Sequence, residues 1–477
     1  MDTFKIKPED NVAVVLHAEA GIDFGHKVAC ADISAGQEII KYGCPIGIAS
    51  ADIKNGEHVH THNMKTGLKE ETIYTYQPVE VTLLPRKAGK FMGFKRKNGK
   101  TGIRNEIWVI PTVGCVNPTG EAIARKAREK MCGGIQGIYS FPHPFGCSQL
   151  GEDHENTKKI LCGLVKHPNA GGVLVLGLGC ENNSIAEMKE MLGAVDETRI
   201  KFLNCQDVED EITAGAELIG EIIEAVKDDK REPIDTSELV IGLKCGGSDG
   251  LSGITANPLV GVFSDRLIAE GGSAILTEVP EMFGAETILM NRCADVGIFE
   301  KTVKLINDFK QYFIKNGQPI YENPSPGNKE GGISTLEDKS LGCTQKAGSA
   351  QVNDVLSYGE ILHVKGLNLL NSPGNDLVAA TALAASGAHI VLFTTGRGTP
   401  FGCPVPTVKI SSNTRLYERK RAWIDFDAEP VIRGEPMDKT ADEFYSYIIK
   451  LANGEVFTKT EQNGIRDIAI FKTGVTL

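Results

Sequence analysis

From Ile107 onward, unbroken apolar runs alternate with segments of helical periodicity. Ile107 to Val113, Gly172 to Gly177 and Leu239 to Leu243 read as strands buried on both faces, the pattern of a parallel sheet covered by helices. Asp153 to Val165, Ser184 to Leu192 and Val208 to Val226 carry the intervening helical spacing. This alternation predicts βαβ units with right-handed crossovers. Residues 1–84 differ: Asn11 to Leu16 and Gln37 to Tyr42 are short, alternating and bounded by turn residues, which predicts a small β-rich domain. Residues 85–105, from Pro85 through Lys95-Arg96-Lys97, Gly99 and Gly102 to Asn105, read as a linker whose cations could also line an anion site.

Residues 106–232 are expected to form one α/β domain, closed by Asp228-Asp229-Lys230-Arg231-Glu232-Pro233, too charged to pack inside and ended by a helix-breaking proline. Residues 233–477 make a second α/β domain, with helices predicted at Pro258 to Glu270, Ile298 to Lys315, Asp376 to Ser386 and Ala441 to Leu451. Between Gly317 and Gly348 the chain turns rich in glycine, proline and polar residues, which predicts a long irregular loop; because it ends on Cys343, a functional role is expected. The fold class is therefore α/β: a small N-terminal β-rich domain followed by two α/β domains with largely parallel sheets.

Composition supports large cores and excludes some partners. At 477 residues, 41% hydrophobic and 24% charged, the length prior gives about three domains. A net charge of −11 with no clustered basic face argues against nucleic acid. No run nears the roughly 18 apolar residues of a membrane span. Met1-Asp2-Thr3-Phe4-Lys5 lacks a basic-then-apolar leader, so the twelve cysteines are expected as thiols in a reducing cytoplasm.

Six times a cysteine sits beside glycine where an apolar run breaks off, at Cys115, Cys147, Cys180, Cys245, Cys343 and Cys403. Small polar residues follow most of them, as in Val116-Asn117, Ser148-Gln149, Glu181-Asn182-Asn183 and Ser248-Asp249. Singly, each fits a small buried hydrophobe beside a tight turn. As a set they mark strand ends, where open α/β sheets bind ligands. In Glu57-His58-Val59-His60-Thr61-His62-Asn63, strand geometry would point the three histidines to one face, neighbours about 7 Å apart, so that two converge on an ion completed by a carboxylate or thiolate; the alternative is a solvated polar strand. Thr394 to Gly402 is glycine-rich around Arg397 and suits close approach of a carboxylate. It has no Lys-Ser/Thr ending for nucleotide hydrolysis, and no Cys-x-x-Cys spacing supports an iron–sulfur centre.

Read in order, Gly56 to Asn63, Pro111 to Asn117, Gly177 to Asn183, Cys245 to Pro258, Thr277 to Glu286, Tyr321 to Gly327, Leu336 to Gly348, Gly396 to Gly402 and the terminal Phe471 to Leu477 closely resemble the altronate/galactarate dehydratase family. The wider family includes the sulfolactate sulfo-lyases, and its N-terminal module is a SAF, or β-clip, domain. The resemblance implies elimination of water from D-altronate to give 2-dehydro-3-deoxy-D-gluconate in galacturonate breakdown, with ferrous iron as cofactor and Mn2+ as the other candidate. It implies a small sugar acid as partner and a homo-oligomer. One departure stands out: glycine is expected where Cys403 is, so Cys403 is given no role.

Such an elimination needs neutralisation of a dianionic intermediate, a base for the proton beside the carboxylate and an acid for the departing hydroxyl. His60 and His62 are the leading metal ligands, with His58, Cys115 or Cys147 as the third. Arg397, between Gly396 and Gly398, is the expected carboxylate clamp, and Asn117, Asn182 and Ser248 are further substrate contacts. Lys346 shares the charge, and His143, His154, Lys244, Asp249 and Glu281 are candidates for acid and base; His143, in Phe141-Pro142-His143-Pro144-Phe145, fits equally a satisfied core histidine. The alternative readings are galactarate dehydratase, sulfolactate sulfo-lyase, or a non-catalytic sugar-acid binding protein.

Overall fold

The computed structural model describes residues 2–68 and 73–474; the last three residues of the segment Phe471 to Leu477 lie outside it. In the N-terminal part, Thr3–Phe4, Val12–Val15, Lys27–Ala29 and His58–Val59 form one antiparallel sheet, and Glu38–Lys41, Cys44–Ala49 and Met64–Lys65 another. Val12–Val15 is buried at every position, although alternation predicts one wet face. The second face is covered by another part of the chain: Val14 and Leu16 pack on Leu251 and Ile254, while Val12 joins the module's own core of Ile33, Ile39 and Val59.

Residues 85–105 contain two strands. Lys90–Lys95 pairs antiparallel with Glu232–Asp235 and with Thr101–Gly102. The basic residues here are occupied by protein: Arg96 donates to Pro168 O, Asn105 Oδ1 and Asp229, and Arg104 to Glu461. Asp229, in the charged stretch, is drawn in to meet both Arg96 and Arg199.

The two α/β sheets are wholly parallel. The first runs Gly137–Ser140, Glu106–Pro111, Ala170–Gly177, Ile200–Asn204. The second has seven strands in the order Val352–Leu356, Gly366–Leu370, Ser273–Leu276, Val240–Cys245, Ile390–Thr395, Thr407–Ser411, Phe426–Asp427. Between the sheets lie the helices Gly151–Val165 and Asp376–Ala385, which share one apolar core with Trp108, Phe141, Ile275 and Phe393. Val240–Cys245 sits at the centre: the chain proceeds from it to one side of the sheet and later returns to the other. That reversal makes a crevice beyond the strand's carboxyl end.

The expected irregular loop between Gly317 and Gly348 holds regular structure. Pro326–Glu330 is a short helix and Leu336–Cys343 another, with all eight residues of the latter buried. Thr335 caps it by accepting from Asp338 N, and that capping oxygen atom was hidden in a run of polar letters. Asp338 joins this helix to the N-terminal module: its Oδ2 meets Lys27 Nζ at 2.8 Å and its Oδ1 meets Lys41 Nζ at 3.0 Å, all three groups buried. Lys27 also donates to Gly332 O and Ser334 Oγ.

Burial alone would push the Asp338 carboxyl up, but Lys27 and Lys41 outweigh it and hold it below the ordinary carboxylate range. The stabilisation this supplies is full above the unfolded value near ~3.9 and is lost as pH falls below it. Asp338→Asn leaves two buried ammonium groups short of a partner and is expected to cost about 3–5 kcal/mol. Urea unfolding checks this: at neutral pH the wild type should be more stable by that amount, and the gap should close on acidification.

Candidate active site

At the end of the central strand, Lys244 and Cys245 face opposite sides of a carboxylate brought from the neighbouring strand end. Lys244 Nζ meets Glu278 Oε1 at 2.5 Å and Asp376 at 2.9 Å, and Cys245 N donates to Glu278 Oε2 at 2.9 Å. Glu278 has φ +68°, a left-handed conformation costing a non-glycine residue roughly 1–2 kcal/mol, and it persists here with both carboxylate oxygens engaged.

Glu281, three residues on, accepts from Cys245 Sγ at 2.9 Å, and Cys245 Sγ lies 3.4 Å from Cys343 Sγ. These three buried groups place a donor atom each within 4.8 Å of one another. Lys339, one turn earlier on the helix that carries Cys343, pairs with Glu281 at 2.8 Å and also donates to Asn323 and Asn328. Lys346 stands 3.8 Å from Glu278. Cys245, Glu281, Lys339 and Asp376 reach the wall of a cavity of about 570 Å³, with Asn323, Ser325, Asn328 and Phe471 around it.

The electrostatics are those of buried, mutually paired charges. Burial pushes the Glu281 carboxyl up, but Lys339, Lys346 and Lys244 outweigh it and hold it well below the usual range. Burial and then Glu281 push Glu278 up. The hydrogen bond shared with Cys245, reinforced by burial, raises the Cys343 thiol strongly. With both thiols protonated, Glu278, Glu281 and Asp376 balance Lys244, Lys339 and Lys346. With both ionised, two negative charges are in excess, which is the charge of one divalent cation.

A second polar site lies across the segment 323–333. The strand expected to carry three histidines is only His58–Val59; His60 to Asn63 is a turn, held by His60 N donating to Asn63 Oδ1. Strand alternation therefore does not gather the histidines, but the turn does. Ring centroids lie 5.5 Å apart for His58 and His60 and 5.3 Å for His58 and His62. His26, just before the paired strand Lys27–Ala29, places Nδ1 3.0 Å from His58 Nε2. Burial first, then neighbouring cations and histidines, lowers His58 to about 4 and His60 to about 3, so both are neutral imidazoles at pH 7. His60 Nδ1 meets Ser334 Oγ at 2.8 Å and His26 Nε2 meets Glu330 O at 3.1 Å, which seats the cluster on that segment. Beside it opens a cleft of about 490 Å³ lined by Arg397, Arg415, Arg419 and Lys420 with Asp23, Asp249 and Glu330. A narrow void lined by Asp249, Lys339 and Cys343 separates this cleft from the thiol cavity.

Apart from the histidine cluster, the predicted site residues fall in three places. Lys244, Glu281 and Lys346 meet at the Cys245–Cys343 cluster. Arg397, Gly396 and Asp249 line the basic cleft, where Arg397 pairs with Glu330 at 3.0 Å, Gly398 turns the backbone at φ +83° and Asp249 is a buried acceptor from Ser252, Ser412 and Asn413. Ser248 is buried next to both, its carbonyl accepting from Asn328. The remainder belong to the four-stranded sheet. His143 is fixed to backbone through both ring nitrogens, by Pro111 O and Phe145 N, and Asn117 bonds the His143 backbone. Asn182 accepts from Ser148 N, His154 pairs with Glu187, and Cys115 and Cys147 are exposed at the sheet's carboxyl edge. Sequence reasoning missed Glu278, Lys339, Asp376 and His26. Glu278 and Lys339 lie within segments noted for their resemblance, but nothing in their spacing distinguishes them from surface charges.

Comparison with known proteins covers nearly the whole chain. Residues 236–476 match the family model described as D-galactarate/Altronate dehydratase, C-terminal; residues 93–227 match the D-galactarate dehydratase/Altronate hydrolase second domain; and residues 1–67 match the Altronate/galactarate dehydratase SAF domain. Altronate dehydratase of Bacillus subtilis strain 168 is 58% identical over 468 residues, 97% of this chain and 94% of its own. Altronate dehydratase of Escherichia coli K12 is 53% identical across 100% of both chains. Galactarate dehydratase (L-threo-forming) of the same E. coli strain is more distant, 29% identical over 98% of this chain and 96% of its own.

The geometry makes a prediction about thiol reactivity. In metal-free protein at neutral pH, Cys245 and Cys343 are expected to escape alkylation by iodoacetamide while exposed Cys30 and Cys132 are modified. Peptide mass mapping of the native and the urea-unfolded protein reads this, and modification of Cys343 as fast as Cys132 would contradict its burial.

Proposed function

The chain belongs to the D-galactarate/altronate dehydratase family, and we propose that it is the hydro-lyase that removes water from D-altronate to give 2-dehydro-3-deoxy-D-gluconate. In this reading it acts on a step of galacturonate breakdown in the cytoplasm, with ferrous iron, as a homo-oligomer. The observation that carries the proposal is a buried cluster of two thiols, a carboxylate and three lysines that reaches the wall of one cavity through Cys245, Glu281 and Lys339. The match across the whole length of two altronate dehydratases, against 29% identity to the galactarate enzyme, favours the aldonate over the aldarate.

The donor set fits the metal. Two thiolates and a carboxylate suit a borderline divalent ion such as ferrous iron, and the excess of two negative charges on ionising the thiols is what such an ion offsets. Bound by Cys245, Glu281 and Cys343, it would supply Lewis-acid stabilisation of charge on a substrate oxygen. The chain's own groups do the rest. Lys339, fixed by Glu281, Asn323 and Asn328, presents its ammonium at the wall, where it holds the substrate carboxylate and the negative charge that develops there on loss of the C2 proton. Lys244 and Lys346 add to that field from behind. Asp376 is the wall carboxylate outside the donor set, and we assign it the C2 proton.

The histidine cluster favours a second reading, in which His58 and His60, both neutral, hold the metal with His62 and His26, and Arg397 clamps the carboxylate in the basic cleft. Metal analysis separates the two. Cys245→Ser and Cys343→Ser are expected to lose bound iron and to lower kcat/KM by at least ~100-fold, while His60→Ala and His62→Ala keep their iron. The reverse pattern, joined by impairment of Arg397→Lys, whose charge survives but whose planar fork does not, assigns the reaction to the cleft.

Formation of a 2-keto-3-deoxy acid from a panel of aldonates, aldarates and sulfolactate tests the substrate. Altronate should be turned over best, a chelator should abolish turnover and ferrous iron should restore it. Undiminished activity after exhaustive chelation would remove the metal from the mechanism.

A further inference from the structure

The cysteines at the end of the smaller sheet remain without a role. Its strands end in Pro111, Ser140 and Gly177, and a few residues beyond each lies an exposed thiol: Cys115, Cys147 and Cys180. The strands are adjacent and parallel, so all three thiols arrive at one edge, one per βα unit. The turns are laced together. Gly114 N donates to Phe145 O at 2.9 Å, Asn183 N to Gly146 O at 2.9 Å, Ser148 N to Asn182 Oδ1 at 2.9 Å, and Thr112 Oγ1 to Glu181 Oε1 at 2.5 Å.

We propose that this edge holds an iron–sulfur cluster ligated by Cys115, Cys147 and Cys180. Thiolates are the ligands such clusters take, and hydrogen bonds to the sulfurs stabilise them. Gln206 Nε2 already reaches Cys180 Sγ at 3.5 Å, and Ser148 Oγ reaches Cys147 Sγ at 3.9 Å. Each thiol also precedes a helix, Asn117–Arg128, Gly151–Val165 or Ile185–Leu192, whose amino end favours nearby negative charge. A single ion is a worse fit. Metal–sulfur bonds of about 2.3 Å bring thiolates within roughly 4 Å of each other, yet among the described residues the group of three donors within 4.8 Å is Cys245, Glu281 and Cys343 alone. A polynuclear cluster, with its irons bridged by sulfide, takes thiolates set farther apart than a single ion does. Cys205, after the fourth strand, stays out: it is half-buried against the core, which pushes its thiol up to about 11. Ser148, at φ +60°, and Gly146, at φ +102°, hold left-handed conformations that turn the chain sharply on both sides of Cys147. Three protein thiolates leave one iron of a cubane free for water or a ligand oxygen.

The proposal does not depend on the mononuclear site, which uses other cysteines and contains no inorganic sulfide. The test is anaerobic purification of the full chain, reconstitution with ferric and ferrous iron and sulfide, and measurement of iron, acid-labile sulfide and visible absorption. The wild type should hold about four sulfides per chain. Cys115→Ser, Cys147→Ser and Cys180→Ser should each lose at least tenfold of the sulfide and the absorption while keeping the wild-type circular dichroism, and Cys132→Ser and Cys205→Ser should retain both. In the wild type itself, loading should protect Cys115, Cys147 and Cys180 from alkylation and leave Cys132 reactive, a readout independent of any variant's folding. Wild-type protein without labile sulfide after reconstitution, or full sulfide in the three serine variants, overturns the assignment.

Discussion

The helix Leu336–Cys343 is the constraint on which the rest of the C-terminal architecture turns. It is buried along its whole length although it carries Glu337, Asp338 and Lys339 in succession. Isolated charges cannot be buried at tolerable cost, so each must find a partner on a different part of the fold. Asp338 takes Lys27 and Lys41 from the N-terminal module, Lys339 takes Glu281 from the end of a strand, and Glu337 accepts from Thr66 and Gly67. Satisfying these charges fixes where the small module docks, and the same helix then delivers Cys343 to Cys245.

Charge pairing also explains how an acidic protein builds a site for an anion. The net charge of −11 is irrelevant behind the cavity wall, where three lysines and three carboxylates are held in one ion-paired group. Burial works against every one of these charges; the opposite charges outweigh it at Glu281 and at the three lysines, while Glu278 stays raised. The strained backbone at Glu278 is part of that arrangement, since it lets one carboxylate bridge the Lys244 ammonium and the Cys245 amide.

The same fold separates two kinds of cysteine that look alike in sequence. Cys245 and Cys343 come from distant segments and meet 3.4 Å apart, both buried, whereas Cys115, Cys147 and Cys180 stand on consecutive strand ends facing solvent. Glycine precedes or follows all five; four of them sit at or just beyond a strand end, while Cys343 closes a helix that runs on into a 3-10 turn. The neighbour differs, and the neighbour sets the chemistry: lysines and carboxylates at one place, backbone amides and small polar side chains at the other.

The sequence by itself determined the strands and helices of the parallel sheets, because apolar runs buried on both faces and 3.6-residue periodicity are local properties of the chain. It also singled out Lys244, Glu281 and Lys346, which the fold brings to one buried cluster with Cys245 and Cys343. It misread the histidine segment as a strand and residues 317–348 as an irregular loop, since a turn held by Asn63 and a helix capped by Thr335 depend on single side-chain hydrogen bonds within otherwise polar stretches. Only the tertiary structure decided which groups meet. Glu278, Lys339 and Asp376 carry no local mark, and Lys244 lies 34 residues from Glu278 and 132 from Asp376 along the chain. Their meeting follows from the reversal of strand order at Val240–Cys245 and from the need of each buried charge for a partner, and both are properties of the folded whole.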